Sequence, residues 1–112
     1  MAEIDDIKQV TKEIVLFGKP RTLKFGMSAL EKIEAVFGSL KNMGTEVSEK
    51  PGTNIPILIM CFLKNTGNED ITPENIVDEL DEHFSIVDLK NMISELVKSA
   101  TSEAKAESKN PQ

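Results

Sequence analysis

Tryptophan and tyrosine are missing from this chain, and cysteine and histidine occur once each in its 112 residues. Stacking platforms for single-stranded nucleic acid would therefore rest on five Phe alone. A single cysteine, Cys61, excludes an internal disulfide and any all-cysteine metal site, and its place in an apolar run reads as a buried, inert thiol of a reduced intracellular protein. With His83 as the sole imidazole, a histidine-based metal site or a nucleophile relay lacks its second member. The longest apolar run, Ile55 to Leu63, is about half of what a membrane-spanning helix needs. The opening MAEIDDIKQV is acidic, unlike the basic-then-apolar start of a secretory leader. No phosphate-binding glycine loop, Ser-centred elbow or zinc-type cysteine spacing occurs, so no catalytic, cofactor-binding or metal-ligating residue is assigned.

What is present suits one small domain: 39% hydrophobic and 29% charged residues. Thirteen basic against 19 acidic residues give a net charge of −6, which disfavours a phosphate-neutralising nucleic-acid face and favours basic partners. The imbalance is local. Residues 1–64 carry 9 basic and 8 acidic residues, residues 65–88 none and 8, and residues 89–112 carry 4 and 3.

Patterning predicts a mainly α fold with a small N-terminal β-hairpin (α+β), its four helices packed as one compact domain. Residues 1–11 are expected to be a flexible N-terminus. Ile14–Phe17 and Thr22–Phe25 are β-prone runs around Gly18-Lys19-Pro20, which predicts a hairpin over 12–25 with its turn there. Two strands are marginal alone and need a helix on one face. Ser28 with Glu31 has capping-box spacing, and Met27, Leu30, Ile33 and Phe37 recur at helical intervals, giving a helix over about 28–37.

Residues 41–53, with Gly44, Pro51 and Gly52 and no clear periodicity, read as a mobile surface loop. The apolar run then gives a buried helix over about 54–65. Thr72-Pro73-Glu74 opens a helix over 73–84, with an Ile71/Ile76 staple and an inward face of Ile76, Val77, Leu80 and Phe84. Ser85 caps a last helix over 86–100 with a stripe of Ile86, Leu89, Ile93, Leu96, Val97 and Ala100. The tail 101–112 has no large apolar residue and is expected to be disordered.

His83 sits among Asp78, Glu79, Asp81 and Glu82, but consecutive positions on a helix spread these groups around an arc instead of converging them on a metal. Residues 65–70, Asn-Thr-Gly-Asn-Glu-Asp, lack the order of a calcium loop and read as a helix stop and connector.

The order of features carries a resemblance: a hairpin ending in Phe25-Gly26-Met27, a helix with the Leu30-Glu31 pair, a linker, a hydrophobic helix, Ile71-Thr72-Pro73-Glu74 and a closing helix. Over residues 12–100 this resembles the small tail assembly chaperones of long-tailed (siphovirus-type) bacteriophages or prophages. The resemblance implies a non-enzymatic protein of the bacterial host cytoplasm that keeps the hydrophobic tape-measure protein soluble and helps recruit tail-tube subunits. It implies absence from the finished virion, and in many such phages a frameshifted product with an appended domain. Apolar stripe beside abundant charge fits such a task. The terminal helix is the expected source, with Met92, Ile93, Leu96 and Val97 partly facing the client or a second copy in a homo-oligomer. No nucleic acid, membrane or cofactor is implied.

Two rivals have features to weigh. A DNA mimic or inhibitor of a nucleic-acid enzyme would use the acidic 65–88 stretch, but the first 64 residues are balanced where a mimic spreads its carboxylates. An acyl carrier needs an Asp-Ser-Leu-like attachment site, and Ser85 is followed by Ile86-Val87-Asp88.

Overall fold

The hairpin closes on two residues that both adopt positive φ, Phe17 at 55° and Gly18 at 74°. This is the signature of the type I′ turn, whose twist matches that of the strands it joins. Strands β1 (Val10–Leu16) and β2 (Lys19–Phe25) pair antiparallel from Val10 opposite Phe25 to Leu16 opposite Lys19. The turn is therefore Phe17-Gly18, starting one residue ahead of the expected Gly18-Lys19-Pro20, and Lys19 and Pro20 belong to β2. A Phe in the left-handed region costs about 1–2 kcal/mol, and the Phe17 amide is held by the Glu79 carboxylate at 2.8 Å. Alternation puts Ile14, Leu16, Arg21, Leu23 and Phe25 on one buried face.

The computed structural model describes residues 10–64 and 66–109, with side chains described as far as Thr101. The expectation for residues 1–9 lies outside the described residues. Helix α1 (Met27–Phe37) starts from Gly26 in extended backbone without a side-chain cap, so the Ser28–Glu31 capping box does not form. The hairpin ends at Phe25, and the Gly26 carbonyl already accepts from the Leu30 amide at 2.9 Å, which places Ser28 inside the first turn. Ala29 and Ile33 are buried, whereas Met27 is 70% exposed and leaves the expected stripe.

The expected 41–53 loop is helical. Helix α2 (Leu40–Glu49) is capped by Ser39, whose hydroxyl accepts from the Asn42 amide at 3.0 Å, and it buries Met43 and Val47 four residues apart. After Lys50, helix α3 (Pro51–Phe62) begins with Pro51 at its first position, where a missing N–H costs nothing. Asn54, itself buried, donates to the carbonyls of Glu46 and Lys50 at 3.0 and 3.1 Å and so satisfies the end of α2 from within α3. The described residues thus contain five helices in place of the four expected. Mainly helical architecture with an N-terminal hairpin stands.

Helix α3 fills the centre: Ile55, Leu58, Ile59 and Phe62 are buried, and the Phe62 ring meets Phe25 at a centroid distance of 5.7 Å. Leu63 then leaves the helix and forms a single antiparallel bridge to Leu23. Helix α4 (Pro73–His83) starts as its sequence predicts. Thr72 accepts from the Asn75 amide at 3.1 Å, and Asn75 accepts from the Thr72 amide at 2.8 Å, a reciprocal box with Asn in the third position. Ile71, Ile76 and Leu80 are buried and Phe84 is half-buried, but Val77 is 45% exposed and leaves the expected inward face.

Ser85 accepts from the Asp88 amide at 3.0 Å ahead of helix α5 (Ile86–Lys109). The helix runs past residue 100 through much of the stretch expected to be disordered, and residues 110–112 lie outside the described residues. Leu89, Ile93, Leu96 and Ala100 are buried; Ile86, expected in the stripe, is 53% exposed.

Candidate interaction face

The terminal-helix residues singled out by the sequence do not form an outward patch. Met92, Ile93 and Leu96 are buried core residues and Val97 is half-buried against them. They close the side of the hairpin, where Lys12 on β1 meets Glu95 on α5 at 3.1 Å. Ile93 and Val97 do reach a shallow groove of about 360 Å³ between α5 and α2, opposite Met43 and Val47. The terminal position of α5 suggested an outward face; the uncovered hairpin and α3 claim it instead.

Exposed apolar side chains collect elsewhere. Helix α3 is apolar on nearly all sides, and the strip bearing Ile57 and Met60 is only partly covered. It forms the floor of an open groove of about 430 Å³, with Lys32 and Val36 of α1 on one bank and Pro73 and Val77 of α4 on the other. Pro56 and Val77 are shared with a second groove of about 190 Å³ that continues to Phe84 and Ile86 and is edged by Asp78 and Asp81. Val36, Ile57, Val77 and Ile86 therefore lie along two adjoining apolar grooves with carboxylates at one rim. The sequence hid this face, because Ile57 sits inside a continuous apolar run and Val77 sits next to the core positions of α4.

The acidic stretch divides into two uses. Asp70 is an internal anchor: Arg21, only 4% exposed, donates from both terminal nitrogens to its two oxygens at 2.9 and 2.7 Å. The same guanidinium donates to the carbonyls of Leu16 and Gly67 and to Asn68, so one buried cation staples the 67–70 connector to the hairpin. Its hydrogen bond holds the Asp70 carboxyl down at about 2, against an ordinary 3.8. Glu79 is likewise occupied by the Phe17 amide. Glu74, Asp78, Asp81 and Glu82 are exposed.

His83 is exposed and lies 3.8 and 3.7 Å from the carboxylates of Glu79 and Glu82. Among the described residues no three His, Cys, Asp or Glu side chains are grouped to hold a metal ion. Cys61 is buried, and burial pushes its thiol pKa up, with the Lys32 charge pulling weakly the other way. No helix among the described residues is long and apolar enough to cross a membrane. No family model matches the chain, and neither a curated protein nor a solved structure matches it.

Proposed function

We propose that this chain is a non-enzymatic tail assembly chaperone of a long-tailed bacteriophage or prophage. It keeps an apolar, helical tape-measure protein soluble in the host cytoplasm and helps bring tail-tube subunits to it. The observation that carries this reading is the apolar face from Val36 through Ile57 and Val77 to Ile86, rimmed by carboxylates. A soluble monomer gains nothing from leaving such side chains together at its surface unless they meet a partner. The order of hairpin, Phe25-Gly26-Met27 step, hydrophobic helix and Thr72-Pro73-Glu74 start supports the same class by resemblance.

The DNA-mimic reading draws less support, because three of its eight carboxylates, Glu69, Asp70 and Glu79, accept internal hydrogen bonds. Co-expression with a candidate tape-measure protein is the deciding experiment. The expected result is a shift of that client from the pellet to the soluble fraction, with both proteins recovered together. A client equally insoluble with and without this chain overturns the reading.

A further inference from the structure

The larger groove has the shape of a missing helix. Its floor is the Thr53, Ile57 and Met60 strip of α3, and its banks are α1 and α4, so a rod laid along it would pack as a helix packs over three others. The α4 bank itself is Pro73 and Val77, facing Lys32 and Val36 across the groove, and a regular acidic row runs along α4 just outside it, with Asp78 and Asp81 edging the adjoining smaller groove. Glu74, Asp78 and Asp81 follow each other at i, i+4 and i+7, within about 40–100° of Val77 around the helix. None of the three side chains makes a hydrogen bond or ion pair among the described residues, and residues 65–88 contain no Lys or Arg.

We propose that this groove docks one cationic amphipathic helix of a partner protein. Its apolar stripe seats on Val36, Ile57 and Val77, and its Lys or Arg residues face Glu74, Asp78 and Asp81. The two components have separate roles. Apolar contact supplies the affinity of a helix-in-groove interface, and the carboxylate row selects the flank and direction of the helix. The inference rests on the chaperone reading only in taking the client helix as the natural occupant.

The probe is a fluorescent synthetic amphipathic helix of about five turns (roughly 18 residues) with Leu on one face and Lys beside it, compared with a twin carrying Glu for Lys. Fluorescence anisotropy with the full chain should show the Lys peptide binding roughly ten-fold or more tighter than the Glu twin, with the gap narrowing in about 1 M salt. Val77→Asp should weaken the Lys peptide by a similar factor, and Asp78→Lys with Asp81→Lys should reverse the preference toward the Glu twin. Both changes are at exposed positions, and thermal melts of the variants verify that the fold is kept. Glu13→Lys with Glu46→Lys makes the same change in net charge away from the groove and should leave the preference unchanged.

The proposal fails if Val77→Asp binds the Lys peptide as well as the parent chain does. It fails equally if the control pair shifts the preference as far as the groove pair, which would make the attraction a bulk charge effect. Light scattering that shows a dimer dissolved by Val77→Asp would assign the groove to a second copy and overturn it too. Client solubilisation unaffected by Val77→Asp would remove the groove while leaving the chaperone reading intact. A groove that passes the peptide tests in a chain that solubilises no client would do the reverse.

Discussion

Replacing Leu96 by Ala separates a core face from a docking face on α5. Leu96 is 2% exposed and sits between Met92, Ile93 and Ala100 in the interior. Removing three carbons from such a site forfeits about 2.4 kcal/mol of transfer free energy at ~0.8 kcal/mol per methylene. The unfilled space adds to that, and comparable Leu to Ala changes in a well-packed core span about 2.7–5.0 kcal/mol. Alanine's better helix propensity returns only a few tenths. For a domain near 100 residues, where 1 kcal/mol moves Tm by roughly 5 °C, the melting midpoint should fall by roughly 12–25 °C. That is a large part of the ~5–15 kcal/mol that holds such a domain folded. Circular dichroism melts and urea titrations read the change directly. Val87→Asp, at a position 65% exposed and second in the same helix, should stay within about 0.5 kcal/mol of the parent. If Leu96→Ala melted within a few degrees of the parent while Val87→Asp collapsed, α5 would present the opposite face from the one described.

Two further outcomes follow from the polar anchors. Asp70 has a folded pKa of about 2 against 3.8 unperturbed, so its contribution is complete above about pH 4 and is lost as pH falls toward 2. Asp70→Asn should therefore lower the urea midpoint at neutral pH, and the gap to the parent chain should close on acidification; a gap constant from pH 7 to pH 2 would deny the linkage. Glu79→Ala leaves the Phe17 amide without its acceptor in a left-handed residue that already carries strain, and should cost about 1–3 kcal/mol in urea unfolding. A midpoint unchanged by Glu79→Ala would show that the carboxylate does not hold the turn.

Legibility in the sequence follows how local each determinant is. The hairpin, the Thr72 start and the Ser85 cap depend on neighbours within three or four positions, and each forms, the hairpin with its turn one residue earlier than expected. Helix α2 escaped because its stripe is two buried residues, Met43 and Val47, interrupted by Gly44. Pro51 and Gly52 looked like a break when they are the start of α3. The boundary of α1 shifted because the strand before it ends one residue ahead of a glycine, a fact set by sheet register and not by the helix itself. The interaction face was the least legible part. Whether Leu96 or Val77 meets solvent depends on how α4 and α5 are rotated against α3 and the hairpin, and a stripe of apolar residues carries no label for which of two neighbours covers it.

The contact between Glu79 and the Phe17 amide fixes more than a turn. Val77 and Glu79 are two positions apart on α4, hence about 200° apart around its axis, so the hairpin tip grips the side of the helix that faces away from the groove. A slip of α4 by a single position would turn it by about 100°, breaking that grip and swinging Val77 and its carboxylate neighbours off the groove in the same movement. The β-turn thus acts as a registration pin, and the chemistry offered on one flank of the molecule is indexed by an amide on the other.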